Sequence, residues 1–95
     1  MKNIRKSPRA KYFHKLLRDQ YKMEPMTIAG TVIPGQRVRH VSEISRRALG
    51  SGTGFVAEIW GNNTQVMLIV ILDDRRPPRM GIALWSFSET KMVQI

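Results

Sequence analysis

The chain contains no cysteine, which excludes a disulfide scaffold, a cysteine-based zinc site and a thiol nucleophile. Its two histidines, His14 and His40, are too few for most metal sites, so we expect neither a metal nor a cofactor. Long apolar runs are also missing. The longest, Val66–Leu72, has seven residues, whereas a membrane-spanning helix needs about 20. No apolar segment of signal-peptide length follows the basic N-terminus, so we expect a cytoplasmic protein without membrane partners.

Acidic residues are scarce in the first 22 residues. This segment holds eight lysines and arginines against one acid, Asp19, and so carries +7 of the net charge of +9. Clustered positive charge attracts polyanions, whereas dispersed charge mainly keeps a protein soluble. The 95 residues are 42% hydrophobic, enough for one small core. We therefore expect a basic N-terminal arm and helix over residues 1–25 and a nearly neutral β-rich body over residues 26–95.

An amphipathic helix is predicted near the N-terminus. Ser7 and Pro8 indicate its start, because serine caps free amides and proline loses no bond in the first turn. Residues 9–22 follow a 3.6-residue period. One side is apolar and must be buried, and we favour docking on the body over a projecting arm or pairing with a second copy: Ala10, Phe13, Leu17 and Tyr21. The other side is a stripe of cations: Lys11, Lys15, Arg18 and Lys22. Glu24 and Pro25 should end the helix, since the residue before proline avoids helical geometry.

After Pro25 the hydrophobic period changes to two, which is typical of β-strands. The pattern and its turn residues predict strands at 26–33, 36–41, 55–60, 64–72, 80–85 and 91–95. Segment 64–72 is almost entirely apolar and rich in β-branched residues, so we expect a central strand buried on both sides. Short antiparallel strands must close into a small barrel or leave exposed edges that promote aggregation.

Three segments follow a pattern found in known small barrels. Segment 34–40 contains Gly35, Val38 and His40, segment 52–59 begins Gly-Thr-Gly, and segment 69–74 is an apolar run ending in two aspartates. Residues 34–95 thereby resemble SH3-like barrels of the Tudor/KOW type, as in the C-terminal module of UvrD-type helicases and the HspQ-like hemimethylated-DNA-binding family. The resemblance implies a mainly β protein, an SH3-like five- to six-stranded antiparallel barrel behind an N-terminal amphipathic α-helix. It also implies a binding module for DNA, RNA or protein rather than an enzyme.

The cationic stripe is the first candidate site. Cations one helical turn apart can meet successive phosphates, or they can form the solvated face of a docked helix. A solvated face usually interleaves acids for pairing, and here Asp19 is the single acid among them. Two loops add arginines that suit phosphate or carboxylate, or that pair with local acids: Arg46, Arg47, Arg75, Arg76 and Arg79.

Aromatic residues are the second candidate group. Trp60 precedes a Gly-Asn-Asn turn, so we expect it to be exposed and able to stack on a base. Trp85 and Phe87 are expected in the core, and His40 in a structural role, because a lone histidine without a partner is poor evidence for acid–base chemistry.

Three functional hypotheses follow. The first is a small non-enzymatic nucleic-acid-binding module acting on duplex DNA or RNA. The second is a protein-binding adaptor, or an inhibitor of a nucleic-acid machine, that applies the same basic face to an acidic surface. The third, less favoured, is a small oligomeric reductase of the plasmid dihydrofolate reductase type. Residues 92–95, Met-Val-Gln-Ile, resemble a motif of that family but lie out of register with it. Each hypothesis is compatible with a homo-oligomer.

Overall fold

A computed structural model describes residues 7–41, 52–73 and 81–93. Within these residues the chain forms six antiparallel strands and one N-terminal helix. Helix α1 (Pro8–Lys15) continues as a π-helical segment (Leu16–Gln20). The strands are β1 (Glu24–Met26), β2 (Arg37–His40), β3 (Thr53–Gly61), β4 (Val66–Leu72), β5 (Ile82–Ser86) and β6 (Thr90–Met92), and a 3-10 turn (Phe87–Glu89) precedes β6. The predicted fold class, mainly β and barrel-like with an N-terminal helix, is confirmed.

Strand β3 organises the sheet. The strand order is β5-β4-β3-β2-β6, and β1 pairs with the far end of β3. A bulge between Val56 and Glu58 adds one residue to β3, which bends the strand and resets its alternation. As a result Val56 and Ile59 face the barrel interior, while Trp60 faces the outer side of the sheet.

The barrel interior is one of two hydrophobic cores. Its buried members come from β2 to β5 and from the turn after β1: Ala29, Val32, Val38, Val56, Ile59, Leu68, Val70, Leu72, Ala83 and Trp85. Phe87 from the 3-10 turn packs against this core. The predicted core position of Trp85 is therefore confirmed, and Phe87 contributes to the same core while remaining partly buried.

The second core lies between the outer side of the sheet and the helix. Ala10, Phe13 and Leu17 from the helical segment pack against strand residues that include Ile69 and Ile71. The predicted docking of the helix on its own body is confirmed, although Tyr21 is 38% exposed. Because Leu68, Val70 and Leu72 point into the other core, β4 is buried on both sides as predicted.

The helix begins as expected and ends earlier than expected. Ser7 caps it by accepting from the amide of Ala10 at 3.5 Å, with Pro8 in the first turn. Lys22 has a φ of 54°, and the next amide, that of Met23, donates to the Leu17 carbonyl at 2.9 Å. A left-handed residue followed by such a bond closes a helix. Because Lys22 is left-handed, the prediction that it belongs to the helical stripe is wrong. The closure also turns Met23 into the core.

The predicted strand over residues 26–33 is also wrong. Ala29 and Val32 exchange two backbone hydrogen bonds of 2.9 Å, which makes a tight turn instead of an extended strand. Gly30 has a φ of 60°, a conformation that glycine adopts without strain. The turn brings Ala29 and Val32 into the barrel interior.

The helix also contacts the sheet edge. The guanidinium of Arg9 donates from Nε to the Ile82 carbonyl of β5 at 2.6 Å, and its carbon lies 5.1 Å from the centre of the Phe13 ring. No helix within the described residues is long and apolar enough to cross a membrane.

Candidate nucleic-acid interface

Two lysines remain on the outward side of α1. Lys11 and Lys15 are exposed, one turn apart, and neither forms an ion pair within the described residues. Because Ala10 and Phe13 fix the opposite side of the helix to the sheet, both ammonium groups are carried by a docked element. This pair is the part of the predicted stripe that keeps its predicted arrangement.

Beside the lysines, the helix carries an exposed aromatic residue that the sequence pattern did not single out. Tyr12 is 63% exposed. A shallow groove on this side of the helix is lined by Tyr12, Lys15, Leu16, Asp19 and Gln20. The outward face therefore combines positive charge with aromatic and aliphatic surface. The sequence feature that could have indicated this face is Tyr12, because it lies between the apolar positions of the helical period.

Arg18 does not continue the stripe. The amide of Tyr21 donates to the Leu16 carbonyl at 3.2 Å, an i→i+5 bond that widens the helix. Each residue of such a turn advances by less than the roughly 100° of an α-helix, so Arg18 is rotated away from Lys15. Its guanidinium carbon lies 5.4 Å from the centre of the Trp60 ring. The predicted position of Arg18 among the outward cations is corrected accordingly.

Trp60 is buried rather than exposed, so the expectation of an available stacking platform is wrong. It is 2% exposed, and its indole N–H donates to Glu58 Oε1 at 2.8 Å. The bulge in β3 directs it to the helix side of the sheet, where the His14 ring centre lies 5.4 Å from that of Trp60. Trp60 thus anchors the helix.

Glu58 contacts two other side chains of this anchor, one on α1 and one on β3. Its Oε1 lies 2.9 Å from His14 Nε2 and also accepts the Trp60 indole N–H. Since His14 is on α1 and Glu58 on β3, the carboxylate holds the helix at one rotation about its axis. That rotation determines which way Lys11 and Lys15 point.

The remaining predicted cations fall into two groups. Lys22 is exposed but lies after the helix, in the left-handed closing residue. The loop arginines lie outside the described residues: Arg46, Arg47, Arg75, Arg76 and Arg79. They stay candidate contacts.

A second group of cations occupies the outer side of β2 and β6. Arg37 pairs with Asp73 through two hydrogen bonds of 2.6 and 3.1 Å, and hydrogen bonding to Asp73 raises the pKa of the Arg37 guanidinium. Arg39 on β2 lies opposite Lys91 on β6. In the sequence, Arg37 and Arg39 alternate with Val38 and His40, which predicts that both arginines face the outer side of the sheet. The position of Lys91 opposite Arg39 depends on strand register, which the sequence pattern does not give.

His40 has the structural role predicted for it. It is 5% exposed, its Nε2 lies 3.3 Å from Glu89 Oε2, and its ring meets Trp85 edge-on at 5.3 Å between centres. No group of three metal-ligating side chains occurs within residues 7–41, 52–73 and 81–93.

The chain matches no protein-family model, no curated protein and no solved structure. The resemblance of residues 34–95 to Tudor-like and HspQ-like barrels therefore stays a prediction.

Proposed function

We propose that the protein is a small non-enzymatic nucleic-acid-binding module whose helix α1 places Lys11 and Lys15 on the phosphates of duplex DNA or RNA. One observation supports this most directly. The docked helix carries both ammonium groups outward, without an acid partner among the described residues. Phosphate contacts by lysine supply most of the non-specific affinity of proteins for nucleic acid.

The anchoring of the helix strengthens this proposal. Ala10, Phe13 and Leu17 are buried, and the Glu58 carboxylate fixes the helix through His14. The helix that carries the lysines is therefore ordered before a ligand binds, so binding needs to order little more than the two lysine side chains. The loop arginines, Arg46, Arg47, Arg75, Arg76 and Arg79, are proposed to extend the phosphate contacts.

A second candidate function is an adaptor or inhibitor that binds an acidic protein surface. The exposed Tyr12 and the partly exposed Leu16 beside Lys15 favour it, because aromatic residues are enriched at protein interfaces. Under this alternative, replacing Tyr12 by serine weakens binding as much as losing the lysines does. For a duplex ligand the lysines dominate.

The deciding experiment measures duplex binding by fluorescence anisotropy over a series of salt concentrations. The variant Lys11→Gln/Lys15→Gln should bind a 20-base-pair duplex about tenfold or more weakly than the wild type. Its slope of log affinity against log salt should fall by about 1.8, or about 0.9 for each lost phosphate contact. Circular dichroism should be unchanged, because both side chains are exposed.

The matched control is Arg18→Gln/Lys22→Gln, which removes the same charge at two exposed positions outside the Lys11 and Lys15 pair. If both double variants lose equal duplex affinity, net charge and not this lysine pair governs binding, and the proposal fails. If the wild type binds no duplex, and nuclease-treated lysate yields a partner whose capture depends on Tyr12 and Lys15, the second candidate is favoured.

A further inference from the structure

The cross-strand pair Arg39 and Lys91 is not explained by folding. The two residues lie directly opposite each other on β2 and β6, where residues share one side of the sheet. Like charges in this position destabilise a sheet. Neither side chain has an acid partner within the described residues, whereas the neighbouring Arg37 pairs with Asp73. An external anion would relieve the repulsion that the fold leaves in place.

An exposed aromatic ring accompanies this pair. Phe55 on β3 lies opposite Arg37 and is 38% exposed, on the same outer side of the sheet. Arg39 is its diagonal neighbour, about 7–8 Å away in such a sheet. The Arg37 guanidinium carbon lies 5.1 Å from the centre of the Phe55 ring, and Asp73 holds that guanidinium in place. The guanidinium lies over one face of the ring, while Phe55 keeps 38% of its surface exposed.

This surface is the uncovered continuation of the side on which the helix docks. Phe55 lies opposite Ile71 of β4, and Ile71 packs in the core beneath the helix. The helix therefore covers β4 and β5, and no other described element covers the outer sides of β2 and β6, where Arg39 is partly exposed and Lys91 is exposed. We call the set Arg37, Arg39, Phe55 and Lys91 the sheet platform.

We propose that the sheet platform binds a single strand of nucleic acid, with Arg39 and Lys91 on one phosphate and Phe55 against the adjacent base. This inference rests on the proposed function and adds a ligand class to it. A base can lie on an aromatic ring only when it is unpaired, so the platform selects single strands. The helix lysines need only phosphates and accept a duplex.

The test uses a fluorescein-labelled thymidine hexanucleotide and a hexameric abasic strand with the same phosphates. Arg39→Gln/Lys91→Gln should bind both strands at least tenfold more weakly than the wild type. Phe55→Leu should bind the thymidine strand about 5- to 150-fold more weakly, the range for losing one stacked base, and should bind the abasic strand normally. The matched control is Arg18→Gln/Lys22→Gln, which removes the same charge at two exposed positions outside both proposed sites and should keep most of its affinity for the hexanucleotide. Lys11→Gln/Lys15→Gln, the helix variant, tests whether the strand binds at the helix instead.

The thermal midpoint distinguishes a lost contact with the strand from loss of binding through unfolding. Removing the Arg39 and Lys91 charges relieves a like-charge contact, so the thermal midpoint of that variant should stay equal or rise. Wild-type affinity for the hexanucleotide in both platform variants, with loss in the helix variant, overturns the platform and leaves the proposed function intact. Loss of abasic binding in Phe55→Leu overturns the base contact. A wild type that binds neither duplex nor single strand refutes the proposed function itself.

Discussion

His14 on the helix and Glu58 on β3 are 44 residues apart in sequence, and their Nε2 and Oε1 atoms lie 2.9 Å apart. The same carboxylate oxygen accepts the indole N–H of Trp60. One acidic side chain therefore satisfies a histidine and a buried tryptophan at once, and it connects the helix to the sheet through polar as well as apolar contacts.

Replacing Glu58 by alanine should lower the free energy of unfolding by about 2 kcal/mol, because the buried indole N–H loses its acceptor and the helix loses the contact between His14 and Glu58. Urea denaturation followed by circular dichroism measures the change. Asp19→Ala is the matched control, since Asp19 is an exposed acid on the helix. Equal stability of the two variants would show that the Glu58 contacts contribute nothing to docking.

Leu17→Ala should destabilise the protein by about 3 kcal/mol, because Leu17 is fully buried between the helix and the sheet. The neighbouring Leu16 is partly exposed, so Leu16→Ala should cost about 1 kcal/mol or less. Thermal unfolding of both variants gives the comparison. A larger loss for Leu16 than for Leu17 would mean that the helix docks in a different rotation.

Lys22→Gly should stabilise the protein by about 1 kcal/mol, because glycine adopts the left-handed conformation without the steric penalty of a side chain. Lys15→Gly, inside the regular helix, should have the opposite sign and a similar size. Differential scanning calorimetry resolves both shifts. Destabilisation by both glycine substitutions would indicate that Lys22 is helical, as the sequence pattern predicted.

Val70→Asp should abolish folding, since Val70 is fully buried in β4 and an unpaired buried charge costs several kcal/mol. Ile28→Asp makes the same chemical change at a residue that is 51% exposed and should leave the fold intact. Circular dichroism and size-exclusion chromatography distinguish the two. A folded Val70→Asp protein would contradict the strand register.

Local patterns predicted the elements better than they predicted the site. The Ser7 cap, the buried side of the helix and the central strand β4 follow from capping chemistry and hydrophobic period, which are short-range properties. The burial of Trp60 follows from a bulge two strand positions away and from a helix that packs over it, and neither has a sequence period. Arg18 leaves the stripe because of one widened turn.

The positions of the charged residues were also predictable where they depend on local sequence and not where they depend on tertiary contacts. The alternation in β2 predicts that Arg37 and Arg39 share a side, but only the pairing of β2 with β6 brings Lys91 opposite Arg39. Strand register between distant segments is a tertiary property. The sheet platform was therefore not detectable as a cluster in the linear chain.

The two-sided burial of β4 has a consequence for cooperativity. Leu68, Val70 and Leu72 point into the barrel, and Ile69 and Ile71 support the helix, so neither core can open without exposing the other side of the same strand. The helix and the barrel should therefore unfold in a single two-state transition. The helix amides nearest β4 should exchange with solvent by the same global opening as the strand amides, and not through separate fraying of an N-terminal arm.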